Sequence, residues 1–579
     1  MTDRHTSELP LDDIQGIILD DYFMQRFSYF LPLRVVDAVR ARRWLAEEVH
    51  KLTSAQVARS EPGREGGFMN VAFSHDGLLA LGILRELADA FPIVFVQGSD
   101  TPNRARVLGD LGANHRSNWH WGSRDNPVHL VLLAYFTARP EADFAERFLD
   151  GAAQRGLELV TPLRRGPSDP RPPVNPLQEQ LLADNKEHFG FRDSISQPLL
   201  AGLDRGAPEN TIPPGEILLG HRNALTNRDD TEKGVAPNMS HVPRAPDGSE
   251  FGRNGSYLVL RQLEQDVVGF WQYCCARASG GERAEVPYPP VTLASKMVGR
   301  WPSGRPLANS WDPKLGADNR DPGTSSDAPA LDDPDFRQKM LEFHQELDRF
   351  DYQRDDARGE RCPFGSHIRR SNPRNWELGT TPEESQFISN QHRIMRRGRT
   401  YGPALIDEKV MDTDSFPETV REVLRIRDKV AQGEPLDDAE RALFERSERR
   451  RGLHFLCFNS DIERQFEFVQ QQWCNNPKFA GLNSDSDPLI GPRHDPETTG
   501  VDPATFTMPS APLRYRCTGM RQFVTVKGSG YFFMPSISDV KKLGEGRWLE
   551  QQDPPPELDD PDQYGIPFFA EADQTDEED

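Results

Sequence analysis

The stretch EHFGFRDSISQP, Glu187 to Pro198, sets one carboxylate, Asp193, between a Phe-Gly-Phe run and a Ser-Ile-Ser-Gln-Pro turn. A carboxylate among aromatics is costly to desolvate unless something there uses its charge. Alone it also reads as a helix N-cap or turn residue. A second stretch, RCPFGSHIRRSNPRNW (361–376), puts His367 after a Cys-Pro-Phe-Gly turn and beside Arg369, Arg370 and Arg374. A histidine flanked by that many cations is electrostatically awkward unless an anion sits next to it. A haem meets both conditions: its iron takes a neutral imidazole, and its propionates take arginine and backbone donors.

A third stretch, QHRIMRRGRTYGP (391–403), surrounds Ile394 and Met395 with Arg393, Arg396, Arg397 and Arg399. In a strand, successive residues face opposite environments. One arginine would then turn inward against an apolar wall while its neighbours stay in solvent. On its own the stretch reads as a solvated basic edge.

Bulk properties narrow the field. A chain of 579 residues is too long for one small core, so two or more packed units are expected. A formal net charge of -22 disfavours nucleic acid or an anionic membrane as the main partner. The six cysteines (Cys274, Cys275, Cys362, Cys457, Cys474, Cys517) form no C-x-x-C and no C-x-x-C-H, which removes zinc-ribbon and covalent c-type haem readings. The start, MTDRHTSELPLDDIQGIILDDY, has neither a basic-then-apolar leader nor a twin arginine, so a cytoplasmic location is expected.

These groups need elements to position them. YFLPLRVV (29–36) reads as a strand followed by the helix DAVRARRWLAEEVHKLTSAQ. GGFMNVAFS (66–74) reads as a second strand with a helix starting at HDGLLALGI. PVHLVLLAYF (127–136) is a buried strand before the helix PEADFAERFLDGAAQRG. That order, β-α-β…β-α, is the pattern of a ferredoxin-like sheet with helices on one face. It restarts at GSYLVLRQLEQDVVGFWQYCC and continues through RGLHFLCFNSDIERQFEFVQQQWC to QFVTVKGSGYFFMPS, read as a closing strand pair. The expected fold class is α+β, two ferredoxin-like domains of the dimeric α+β barrel type. The expected division is an N-terminal domain over 1–200, a wrapping loop over 201–254, a haem-binding domain over 255–548 and an acidic tail over 549–579.

Three segments stand outside this plan. Residues 303–335 read as a surface loop. Residues 415–450 read as two charged helices split at Gly433-Glu434-Pro435. The acidic tail carries an apolar YGIPFF, a strap on its own domain or a docking peptide. Trp301, Trp311, Trp376 and Tyr401 read as core packing before electron relays.

The three chemistry-bearing stretches resemble the dye-decolourising (DyP-type) haem peroxidases. The resemblance extends through LDDIQGIIL near the start, NGSYLVLRQLEQDVVGFW (254–271), SKMVGRWPSGRPL (295–307), RGLHFLCFNSDIERQF (451–466) and VTVKGSGYFFMPS (524–536), in family order. It implies one non-covalent haem b per chain, held mainly by the C-terminal domain, with His367 as proximal iron ligand. It implies Asp193 as the distal acid and Arg396 as the distal arginine. Ser194, Ile195 and Ser196, and Asn372, Pro373 and Arg374, would lie along the haem edge, and Leu453 and Phe455 would line the peroxide channel. Asp461, Glu463 and Asp487 are all candidates for the acid that orients His367 from behind. Ser194 departs from the family, which usually has glycine there.

The activity implied is oxidation of dyes, phenolics or other one-electron donors by hydrogen peroxide, through an oxoferryl intermediate. A distal carboxylate can shuttle the peroxide proton, with arginine stabilising the leaving oxygen. A carboxylate titrates lower than a histidine, so such a pair should work best in acid. The partners implied are hydrogen peroxide and a small aromatic donor, with no nucleic acid, no membrane and scope for a homo-oligomer. Two other readings stay open: a haem-binding or iron-handling protein with little turnover, and an assembly or cargo component acting through its acidic tail.

Overall fold

The computed structural model describes residues 9–138, 148, 151–163, 177–180, 185–204, 206–226, 235–310, 334–376, 378–406, 412–493 and 504–549. Outside these lie the YGIPFF tail, most of the helix expected over 140–156, and Trp311 with its loop.

One antiparallel sheet organises the chain. Its strands are β1 (Phe27–Val35), β2 (Phe68–Phe73), β3 (Leu130–Phe136), β4 (Leu177–Gln180), β5 (Ser256–Gln265), β6 (Met395–Arg396), β7 (Arg399–Tyr401), β8 (Gly452–Asn459) and β9 (Val524–Met534). Leu157–Leu159 adds a short strip beside β1. The hydrogen-bonded order is β4-β1-β3-β2-β9-β5-β8, and β7 pairs with both β8 and β4, so the sheet closes on itself. Each half repeats one strand order, β4-β1-β3-β2 and then β9-β5-β8-β6/β7, as two ferredoxin-like sets of an α+β fold would.

Period-two alternation divides the side chains between two cores. Phe30, Val131, Leu133, Leu258, Leu456 and Phe532 point inside the barrel. That interior is plugged by Ile14, Ile17, Ile18 and Leu19 of the LDDIQGIIL segment. Leu31, Leu33, Val71, Leu132, Val259 and Phe533 point outward under helices such as Ala38–Glu48 and Ile537–Gly544. Residues 203–254 feed Ile212, Ile217, Leu218 and Phe251 into these cores. Trp301, Trp376 and Tyr401 are 3, 2 and 1 % exposed, so all three are core residues.

Two elements differ from the sequence reading. The helix expected over 37–56 ends at Glu48 and continues as a 3₁₀ turn. A separate helix then starts at Ala55, because extended Ser54 caps the Val57 amide. The expected closing strand pair is one strand, β9, with a bulge between Val526 and Gly528. The Gly-Ser-Gly that resembles a turn is a packing site: a Cβ on Gly528 would lie 2.4 Å from the Trp121 ring. The charged hairpin is as read, Phe416–Gln432 and Asp438–Ser447, with Gly433 left-handed at φ 74°. No helix among the described residues is long and apolar enough to cross a membrane.

Candidate active site

A cavity opens between the outer face of the second sheet set and the elements packed on it. Leu263, Gln265, Leu453, Phe455, Val524 and Val526 form its sheet wall. His367, Ile368, Val469, Gln470, Cys474 and Ile490 face them from the helical side. Asp193 to Ser196 and Arg396 close one flank. The three stretches singled out in the sequence therefore meet in one place.

His367 opens the short helix His367–Ser371. Its Nδ1 lies 2.9 Å from Asp487 Oδ2, while Asp487 Oδ1 accepts the amides of Leu489 and Ile490 at 2.9 and 3.0 Å. Asp487 is thus the acid behind the ring. Asp461 pairs with Arg464 instead, and Glu463 is largely exposed. Burial disfavours charge on His367, but the Asp487 carboxylate outweighs it and raises the imidazole above its ordinary range. The same contact holds Asp487 below the usual carboxylate range despite complete burial. With Nδ1 donating to the carboxylate, Nε2 presents its lone pair to the cavity. It finds no hydrogen-bond partner among the described residues.

The arginines next to His367 are not the ones that need an anion. Arg369 is wholly buried, bonded to the Asp356 and Cys362 carbonyls and stacked 4.0 Å from the Trp376 ring centroid. Arg370 is buried against the Trp473 and Asn476 carbonyls. Only Arg374 turns to the cavity, and it does so with two arginines that the sequence reading leaves unassigned, Arg300 and Arg393.

Asp193 ends a small hairpin. The Glu187 amide donates to Phe191 O at 2.8 Å and the Asp193 amide to Asn185 O at 2.9 Å. Gly190 at the tip has φ 96°, and a Cβ there would meet the Phe416 ring at 2.7 Å. Asp193 Oδ1 accepts from the Ser194 amide at 2.6 Å and from Arg396 Nη1 at 3.1 Å. Oδ2 takes no hydrogen bond from any described residue. Arg396 is fixed further by Nη2 to Ile195 O at 2.6 Å and by its amide to Gln197 Oε1 at 2.9 Å. Ser194 adopts φ 63°, the left-handed conformation that glycine takes freely, and Ser196 does the same at 61°.

The basic strand alternates as expected, but its other face is not solvent. Ile394, Arg396 and Gly398 line the cavity, whereas Met395, Arg397 and Arg399 enter the barrel. Arg397 Nε donates to Ile17 O at 3.0 Å, and Arg399 Nη2 donates to Asp21 O at 2.8 Å. The solvated edge is corrected: barrel closure buries that face, and carbonyls of the N-terminal plug take the guanidiniums.

Around Ser196 the described residues leave the cavity with excess positive charge. Arg300 Nη2 and Arg374 Nη2 donate to Ser196 Oγ at 2.7 and 3.1 Å, and the Ser196 hydroxyl donates to Asp348. Arg374 also pairs with Asp348, and Arg393 Nη2 donates to Ser196 O at 3.0 Å. Burial, with repulsion from neighbouring arginines added, pushes Arg300 and Arg393 down to about 10. Among the described residues three guanidiniums thus share one acid, an arrangement that suits an anion with two carboxylates. A haem with its two propionates fits that cluster, and the free Nε2 of His367 fits its iron.

The predicted site residues divide accordingly. Asp193, Ser194, Ile195, Ser196, His367, Asn372, Arg374, Arg396, Leu453 and Phe455 all line the cavity. Asn372 is steadied by Ser389 Oγ, which donates to its Oδ1 at 3.1 Å. Pro373 is buried but stands off the cavity wall. Arg300 sits unassigned within SKMVGRWPSGRPL, and Asp348 closes a helix (Pro334–Asp348) with no motif to flag it.

The chain matches no protein-family model. It is 28% identical over 557 residues to dye-decolorizing peroxidase msp1 of Mycetinis scorodonius, covering 92% of this chain and 88% of that protein. It is 25% identical over 548 residues to dye-decolorizing peroxidase AauDyP1 of Auricularia auricula-judae, covering 92% and 87%. A solved dye-decolorizing peroxidase in complex with 2,6-dimethoxyphenol superposes with a TM-score of 0.61 at 25% identity, over 93% of this chain and 100% of that one. In sequence and in fold, each across nine-tenths of the molecule, this chain is similar to the dye-decolourising peroxidases, and its cavity suits haem.

Proposed function

We propose that the protein holds one haem b per chain, without covalent attachment, and uses hydrogen peroxide to oxidise dyes, phenolics or other one-electron donors. His367 would ligate the iron through Nε2, and Arg300, Arg374, Arg393 and Ser196 would take the propionates. When bound, the haem would supply the redox chemistry, reduction of peroxide and one-electron oxidation of donors.

The protein's own groups handle the proton and the charge. Asp193 Oδ2, with no hydrogen bond from a described residue, can take a proton from one peroxide oxygen and return it to the other. Arg396 holds Oδ1 still and places a fixed positive charge beside the oxygen that becomes negative. Leu453 and Phe455 give the sheet wall of the cavity an apolar surface. Asp487 fixes the imidazole's orientation and makes it more electron-donating.

The observation that carries this reading is the single cavity in which Nε2 of His367 and the Asp193–Arg396 pair meet. Both members of that pair act electrostatically on the His367 ring. Purified protein loaded with haem should show a Soret band that changes on adding peroxide, and should oxidise a phenol only when peroxide is present. A bound haem whose spectrum ignores peroxide would leave a carrier rather than an enzyme.

A further inference from the structure

We infer that Glu187 is a positioning residue for Asp193: its carboxylate clamps the tip of the hairpin that carries Asp193 and ties that tip to the barrel through Gln265. The inference rests on the reading of Asp193 as the group that moves the peroxide proton.

The hairpin pairs residues on either side of a tight tip, His188-Phe189-Gly190, through the Lys186–Arg192 bridge. Such a tip leaves amides pointing inward with no strand partner. Glu187 takes two of them, one on each oxygen: Phe189 N at 2.9 Å on Oε2 and Phe191 N at 3.0 Å on Oε1. Only a carboxylate can accept on both arms, since an amide side chain has one accepting oxygen and one donating nitrogen.

The clamp is fastened to the sheet. Gln265 Nε2 donates to Glu187 Oε2 at 2.6 Å. Gln265 is the last residue of β5, with its backbone set opposite Val524 and its amide bonded to Arg451 O at 3.0 Å. Two contacts hold the tip's carbonyls, Thr413 Oγ1 to Gly190 O at 2.8 Å and Trp271 Nε1 to Phe189 O at 3.2 Å, and the His188 ring meets Tyr401 O through Nε2 at 2.8 Å. Among the described residues, Glu187 is the side chain that accepts the Phe189 and Phe191 amides and links them to the sheet wall of the cavity.

Keeping an acid there is costly. Burial pushes the Glu187 carboxyl up to about 7 against the pull of its three donors, and the nearby charge of Asp193 adds to the rise. A neutral residue would be cheaper to bury, so the clamp's geometry is what the acid contributes. Two residues beyond the clamped Phe191 amide the chain reaches Asp193, and a shift of about 1 Å there can cost ~100-fold in rate.

A double-mutant cycle on the haem-loaded protein, run above pH 7 where Glu187 is ionised, tests this, using Glu187→Gln, Asp193→Asn and the pair. Glu187→Gln should retain haem and slow the peroxide-limited rate constant ~10- to 100-fold, leaving the donor-limited constant unchanged. In the Asp193→Asn background it should add nothing. Hydrogen exchange at the Phe189 and Phe191 amides should speed up. Gln265→Met, which removes one of three donors, should move the same quantities the same way by less, and it decides the matter if Glu187→Gln fails to fold. Additive losses in the cycle, equal falls in both rate constants, or unchanged exchange would each overturn the positioning role. A silent Asp193→Asn would instead overturn the assignment of Asp193, a separate and recognisable failure.

Discussion

Asp487, entirely buried, receives His367 Nδ1 on one carboxylate oxygen and two backbone amides on the other. The ring therefore has one orientation, and its Nε2 points into the cavity. Asp487→Asn would put an N–H2 group against either the imidazole N–H or the Leu489 and Ile490 amides. We expect weaker haem retention, by roughly 10- to 100-fold, and a raised reduction potential in the haem that stays. Spectroelectrochemical titration checks this, and a potential equal to the parent's would remove Asp487 from the tuning of His367.

Adjacent arginines should fail in different ways. Arg396→Leu should keep the fold and lower the peroxide-limited rate ~100- to 1000-fold, as loss of a preorganised donor does. Arg397→Leu leaves the Ile17 and Ile18 carbonyls without their donor inside the barrel. It should cost about 1–3 kcal/mol of stability while the folded fraction retains its rate. Denaturation midpoints measured beside stopped-flow rates separate the two. Similar kinetic losses from both would mean that the strand's two faces are not distinct.

Much of this is readable in the sequence because it depends on local pattern. Alternating apolar residues locate the strands, and the Gly433 break locates the charged hairpin. The residues of three short motifs meet as expected, since each motif folds locally around its own turn. What the sequence conceals is set by closure of the barrel. Arg397 and Arg399 look solvated until the sheet closes around the N-terminal plug. Sequence proximity attaches the anion demand to Arg369 and Arg370, yet it belongs to Arg300, Arg374 and Arg393, which come from segments up to a hundred residues apart. Asp487 is one of three candidate acids in the sequence, and only the fold brings its carboxylate behind His367.

Acid should destabilise the protein through two buried histidines. His188, by burial and by the charge of Arg451, and His454, by burial, are held down to about 3. The unfolded chain binds protons on both below about pH 6.5, and the folded chain does not. Their stabilising contribution is complete above that pH and drains as pH falls toward 3, by about 1.4 kcal/mol per unit for each. Glu187, held up near 7, works the other way: the folded state binds its proton first, so its contribution rises as pH falls from 7 toward 4.5. Denaturant titrations between pH 6 and pH 4 should show a His454→Phe variant losing stability less steeply than the parent, by about 1.4 kcal/mol per pH unit. Equal slopes would show that His454 titrates normally in the fold.

Asp193 and Ser194 can be separated, although they are adjacent. Ser194 occupies the left-handed region at φ 63°, where a Cβ costs about 1–2 kcal/mol that glycine avoids. Glycine also brings a more flexible unfolded chain, so the net gain from Ser194→Gly should be below about 1 kcal/mol. The Ser194 amide would still donate to Asp193 Oδ1, so the peroxide rate should stay level or rise. Asp193→Asn keeps the size of the side chain and one accepting oxygen, but the tip has no basic site for a peroxide proton. It should therefore retain the fold and the haem while the spectral change on mixing with peroxide slows ~100-fold or more. Stopped-flow mixing of the two single variants and the parent decides. If Asp193→Asn reacts as fast as the parent, the proton moves by another route, and Arg396 with a water becomes the group to test. If Ser194→Gly slows the reaction, the serine Cβ is holding the carboxylate in place rather than straining it.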